Sequence, residues 1–177
     1  CGRPECAPGC DCDRYLEFWN LVFPQYWLNE SGEYEKLEKP GIDTGLGLER
    51  LATILQGAED NYHSDLFLPI VRRIREILPP SAGNDDPEEV MSVNMIADHI
   101  RALTFALAEG IYPSNEGRGY CLRRILRRAL TRMYIFGLEE PSLYRGVETV
   151  VRLMKDAYPE LEEREPAVVV LVPLLLY

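Results

Sequence analysis

The chain has 177 residues, 46% hydrophobic and 27% charged, an ordinary globular mix that fits one folded domain or two small ones and does not make disorder the default. A net charge of −10 excludes a surface that attracts nucleic acid everywhere, so RNA or DNA contact would need a local basic patch. The chain opens on Cys1 with no leader pattern, so it is expected to be a piece of a longer protein.

Four of the five cysteines, Cys1, Cys6, Cys10 and Cys12, lie in the opening CGRPECAPGCDC. Thiolates this close in a Pro/Gly-rich loop can surround one tetrahedral Zn²⁺, and the metal would order a loop that has no hydrophobic core. The C-x4-C-x3-C-x-C spacing is tighter than paired C-x2-C knuckles, and a reduced, metal-free loop stays open as the alternative. Disulfides are not expected in an intracellular protein. Residues 14–28, RYLEFWNLVFPQYWL, carry apolar residues on both faces and predict a buried central strand. NESG then reads as a turn and EYEKLEK as a half-exposed strand. Pro40-Gly41 breaks it, IDTGLG reads as a short strand, and LERLATILQG as a helix ended by Gly57.

Helical patterning follows. SDLFLPIVRRIREIL is expected to start at Ser64 as its N-cap, with apolar residues at 67, 70, 71, 74 and 78. A loop is expected over 79–86, then a long amphipathic helix over 87–109 with Val93, Ile96, Ala97, Ile100, Leu103 and Leu107 on one side. GIYPSNEGRGY interrupts, another helix runs to about Phe136, and a further helix is expected over 141–157. YPELEER begins the last piece. The closing AVVVLVPLLLY is too short and too proline-interrupted to span a bilayer, and reads as a segment that packs on something. The order predicts an α+β chain without repeats, sheet-like over 1–60 and helical over 61–177.

Two stretches could carry chemistry. In DTGLGLER, Gly45 and Gly47 clear one face of a strand, Arg50 can pair with phosphate oxygens, and Asp43 suits an ammonium group. The pattern alone also fits an ordinary strand-to-helix connection. In SNEGRGYCLRRILRRALTR, Leu122, Ile125, Leu126, Ala129 and Met133 form one helical face. Arg118, Arg123, Arg124, Arg127, Arg128 and Arg132 load the rest, against one acid, Glu116. Such a stripe can neutralise phosphates or pair with acidic groups of the same protein, and charge alone leaves both open. Cys121 reads as a small buried residue. His63 reads as structural and His99 as a helix-packing hydrogen-bond partner; no nucleophile triad is present.

The segments RYLEFWNLVFPQY, GIDTGLGLERLATILQG, NYHSDLF and IADHIRALTFALAEGIYPSNEGRGYCLRRILRRAL resemble, in that order, the alanyl-tRNA synthetases, to about Leu161. DTGLGLER looks like the third signature motif of class II aminoacyl-tRNA synthetases. The resemblance implies the end of an antiparallel catalytic sheet in residues 1–60 and a mostly helical tRNA-recognition domain over 61–177. It implies that Arg50, Gly45 and Gly47 serve ATP, and that Asn20, Val22, Asp43 and Gly45 serve alanine. It also implies that the helical region holds the acceptor stem of the alanine tRNA, with its G·U pair. Asn115 is the candidate for base edges, and Arg118, Arg123, Arg124, Arg127 and Arg128 are candidates for phosphates. ATP and Mg²⁺ follow as cofactors, with a cytoplasmic setting and no membrane.

Departures from the family matter too. The first two class II motifs, expected before Cys1, and the editing and C-terminal domains, expected after Tyr177, lie outside the chain. The rest of the synthetase chain is therefore an expected partner, and these residues alone are expected to be inactive. The cysteine-rich opening looks like an insertion, and EPAVVVLVPLLLY departs from the charged helix expected there. An RNA-binding helical module without catalysis, or an interaction scaffold whose arginines meet acidic surfaces, would share the arginine stripe.

Overall fold

The structure, a computed structural model, describes residues 1–174 apart from 11, 13, 14, 80–85 and 141, with side chains described as far as 169. The expected strand start at Arg14, most of the 79–86 loop and the end of the apolar tail fall outside the described residues. The chain divides into two compact units, Cys1–Ser64 and Asp65–Tyr177.

The first unit contains strands β1 (Trp19–Val22), β2 (Tyr26–Leu28), β3 (Tyr34–Lys36) and β4 (Asp43–Leu46), then helix α1 (Leu48–Gln56) and a 3-10 turn at Asn61–His63. β2 and β3 form an antiparallel hairpin with Trp27 opposite Glu35. Its turn is held by Asn29, whose Oδ1 accepts from the Ser31 and Glu33 N–H groups, and by Gly32 at φ 81°. β1 pairs antiparallel with β4.

The expectation of one buried central strand is corrected twice. The stretch forms two short strands, and every residue of both is exposed. Pro24 lies between them and has no N–H to give a ladder. Each sheet has two strands among the described residues, so Trp19, Leu21 and Leu46 remain in solvent.

α1 ends where Gly57 turns left-handed at φ 61° and the Ala58 N–H returns to the Thr53 carbonyl. Ser64, expected to start the next helix, instead closes the 3-10 turn, its hydroxyl donating to the Asn61 carbonyl at 2.6 Å. Asp60 is the capping residue here, because its carboxylate accepts from both the Tyr62 and His63 N–H groups.

The second unit contains α2 (Leu68–Ile77), α3 (Pro87–Ala108), α4 (Gly117–Ile135), a 3-10 turn at Leu143–Gly146, α5 (Val147–Met154) and α6 (Glu160–Leu174). α3 is the hub and packs against α2, α4, α5 and α6. Pro87 opens it with Glu88 and Glu89 in its first turn, where the helix dipole favours negative charge. Val93, Ile96, Ala97, Ile100 and Leu103 are fully buried along it. Its buried hydroxyls are satisfied locally, Thr104 Oγ1 donating to the Ile100 carbonyl at 2.8 Å.

The helix expected over 141–157 is shorter. Its first turn is 3-10, with the Arg145 N–H on the Ser142 carbonyl, and α5 stops at Met154. At Gly146 an added Cβ would stand 3.3 Å from Ile100 Cγ1 and 3.4 Å from Ile74 Cδ1, so this backbone lies against the core. Leu161 and Val168 of α6 are buried. No helix among the described residues is long and apolar enough to cross a membrane.

Candidate functional site

The β1–β4 register sets Asn20 opposite Gly45 and Val22 opposite Asp43. Opposed residues of an antiparallel pair share a face, and so do alternate residues along each strand. Asn20, Val22, Asp43 and Gly45 therefore occupy one face, and Trp19, Leu21, Thr44 and Leu46 the other. A Cβ added at Gly45 would meet nothing within 4 Å, so the centre of the first face is open. Asp43 lies at one end, its carboxylate exposed and accepting from the Thr44 N–H at 2.9 Å. Just beyond Val22 and Asp43, a concavity of about 440 Å³ is lined by Phe23, Pro24, Gln25, Lys36, Pro40, Gly41 and Ile42.

Gly47 does something different from Gly45. It continues the ladder, its N–H donating to the Phe18 carbonyl at 2.9 Å, and it caps α1. A Cβ there would stand 3.3 Å from Arg50 Cδ, so the missing side chain makes room for the arginine stem. This brings Arg50 to the Asp43 side of the ladder, since positions 43, 45 and 47 alternate onto one face. The guanidinium donates from Nη1 to the main-chain carbonyl of Glu17. The Glu17 side chain accepts from Asn20 Nδ2 at 3.2 Å. Glu17 thus links Arg50 to Asn20 at the end of the face away from Asp43, and the spacing of the glycine motif gave no signal for it.

On α4, Leu122, Leu126, Ala129 and Met133 are buried and Ile125 is half-buried, while Tyr120, Arg123, Arg124, Arg127, Arg128, Thr131 and Tyr134 face solvent. Arg132 alone of the arginines from 118 to 132 meets an acid among the described residues, Glu88 at 3.3 Å. Arg123 donates from Nη1 to Asn115 Oδ1, and Arg124 lies 5.9 Å from the centre of the Tyr120 ring. Arg118, Arg127 and Arg128 are exposed and make no ion pair among the described residues. The two tyrosines, which charge counting missed, sit at helical spacing from the arginines. The irregular backbone of residues 112–114 is pressed onto the helix start: a Cβ at Gly119 would fall 2.3 Å from Ser114 Oγ and 2.5 Å from the Tyr112 carbonyl oxygen.

A family model described as tRNA synthetases class II (A) matches residues 2–173. The chain belongs to this class II synthetase family. Relatives named alanine–tRNA ligase include one from Desulforudis audaxviator, 51% identical over 168 residues, covering 95% of this chain and 19% of the relative. Those from Desulfosudis oleivorans and Thermoanaerobacter sp. strain X514 are 50% and 48% identical over 92% and 93% of the chain. The chain thus spans about a fifth of the length of the curated relatives it matches.

Elsewhere in this synthetase-family chain, the sulfur atoms of Cys1, Cys6, Cys10 and Cys12 all lie within 4.8 Å of one another. Cys121, expected to be buried, is exposed on α4, because it falls on the solvent side of the Leu122–Leu126 stripe. His63 Nδ1 is 2.7 Å from Asp60 Oδ1, beside the turn that Asp60 caps. His99 is corrected: its Nε2 is buried with no hydrogen-bond partner among the described residues, while neighbouring Asp98 pairs with Arg101 at 2.8 Å. Burial pushes the His99 imidazole below its ordinary range; Asp98 opposes this and Arg128 adds to it.

Proposed function

We propose that this chain is the part of an alanine–tRNA ligase that holds alanine and ATP along the β1–β4 face and the acceptor stem of the alanine tRNA along α4. The carrying observation is the common face of Asn20, Val22, Asp43 and Gly45, in a chain whose relatives bear that ligase name. On this reading Asp43 meets the alanine ammonium group, and Asn20, held by Glu17, adds a polar contact. Val22 and Gly45 bound a space for a small side chain. Arg50 offers its guanidinium to ATP phosphates, steadied by the Glu17 carbonyl. These groups work by position and charge, without a nucleophile of their own.

The parent reaction joins alanine to ATP with release of pyrophosphate, then passes the alanyl group to the tRNA 3′ end. ATP supplies the phosphate that activates the carboxylate. Mg²⁺ takes oxygen ligands and is commonly carried by substrate phosphates. No residue is assigned to it, since the set of three or more His, Cys, Asp or Glu side chains that converges among the described residues is the cysteine group. Residues 1–60 would then close the aminoacylation domain and 61–177 begin the tRNA-recognition domain, in the cytoplasm. Just before α4, Asn115 would face base edges, and along the helix Arg118, Arg124, Arg127 and Arg128 would face the phosphates, with Arg123 shared between Asn115 and the RNA backbone. The reading is favoured over a non-catalytic RNA module because the family match covers both units.

The test is a chimera in which this sequence replaces the matched segment of the Desulforudis audaxviator relative. The chimera is expected to charge alanine tRNA. Asp43→Asn is expected to raise the alanine KM about tenfold or more, the scale of one charged hydrogen bond, with the ATP KM little changed. An unchanged alanine KM in an active chimera would refute the assignment. The 177-residue chain by itself is expected to give no alanine-dependent pyrophosphate exchange, and exchange by the purified chain would refute that.

A further inference from the structure

We propose that Cys1, Cys6, Cys10 and Cys12 bind a single zinc ion as four thiolates, and that this ion, in place of a hydrophobic core, holds the opening segment in shape. The sulfur positions carry the inference. Cys1 and Cys10 are 3.8 Å apart, Cys6 and Cys12 are 3.7 Å apart, and all four lie within 4.8 Å of one another. Sulfurs about 2.3 Å from a tetrahedral zinc stand about 3.8 Å from each other. A disulfide would bring a pair to about 2.05 Å, and none joins these residues.

The backbone is built to deliver this arrangement. Arg3–Cys6 and Ala7–Cys10 are successive four-residue turns, closed by Cys6 N–H on the Arg3 carbonyl at 3.1 Å and Cys10 N–H on the Ala7 carbonyl at 3.0 Å. Each has proline second, Pro4 and Pro8, where its fixed φ is already that of the turn. Gly9 occupies the third position of the second turn at φ 94°, as a type II turn requires. Each turn ends on a cysteine, so two short rigid loops aim thiolates at one point.

The chemistry selects the occupant. The ligand atoms that converge among the described residues are four sulfurs, a set that suits a thiophilic ion and not the oxygen-seeking Mg²⁺ or Ca²⁺. An iron–sulfur cluster would spread its cysteines over two or more irons, whereas these sulfurs converge on one centre. Nearly every residue from 1 to 10 is exposed, so burial does not fix the segment, and metal binding would supply its folding energy. The inference does not depend on the ligase reading.

The test is the metal content of the whole chain, purified under reducing conditions with zinc supplied. One zinc per chain is expected, and Co²⁺ exchanged into the site should show the intense thiolate charge-transfer bands of a tetrahedral four-sulfur ion. Cys10→Ser should reduce zinc to background, Cys12→His should keep one ion with three thiolates, and Cys121→Ser should change nothing. Circular dichroism should show the helices intact in all three. Zinc far below one per chain, one iron in its place, the mass deficit of two disulfides, or full retention by Cys10→Ser would each overturn the proposal.

Discussion

Gly45 and Gly119 look alike in the sequence and should respond oppositely to a methyl group. At Gly45 the added carbon meets open space at an ordinary φ, so Gly45→Ala should leave urea stability within about 0.5 kcal/mol. In the chimera it should raise the alanine KM, because the methyl would occupy the open centre of the face. At Gly119 the methyl lands on Ser114 and the Tyr112 carbonyl, so Gly119→Ala should cost about 1–3 kcal/mol, read from the urea midpoint. His99 gives a pH test. Its folded pKa lies below the unfolded value of 6.5, so below that pH the unfolded chain binds more protons. Its contribution should be complete above pH 6.5 and lost as pH falls through 6.5 toward the folded value. His99→Gln should flatten that part of the profile; an unaltered slope would show that the burial of this ring is not felt.

At the scale of elements, α4 divides into a buried stripe and an exposed basic face. Arg127→Gln and Arg128→Gln should each lower the slope of log affinity against log salt for an acceptor-stem RNA by about one, without changing helix content. Arg132→Gln should have less effect on that slope, since Glu88 already engages Arg132. How much of this was legible depended on range. The end of α1 at Gly57 and the start of α3 at Pro87 could be read because glycine and proline act on their own backbone. The role of Ser64 could not, because Asp60 competes for the same turn. Residue types in DTGLGLER were visible, but the row of Asn20, Val22, Asp43 and Gly45 depends on a register between strands more than twenty residues apart. The apolar run of β1 likewise says nothing about what covers it.

For the whole molecule, the two units differ in what holds them. Asp65–Tyr177 has a buried helical core around α3, whereas the strands of Cys1–Ser64 are two-stranded and exposed. Two-stranded sheets are marginal by themselves, so amides of β1 and β4 should exchange with solvent far faster than those of mid-α3. Equal protection would contradict this difference. The exposed strands also confer a built-in optical label. Both tryptophans of the chain, Trp19 and Trp27, belong to β1 and β2, and the helical unit has none. Tryptophan emission therefore watches the strands alone, while far-ultraviolet dichroism is dominated by the helices. A single urea titration followed by both signals separates the melting of one unit from the other without cutting the chain.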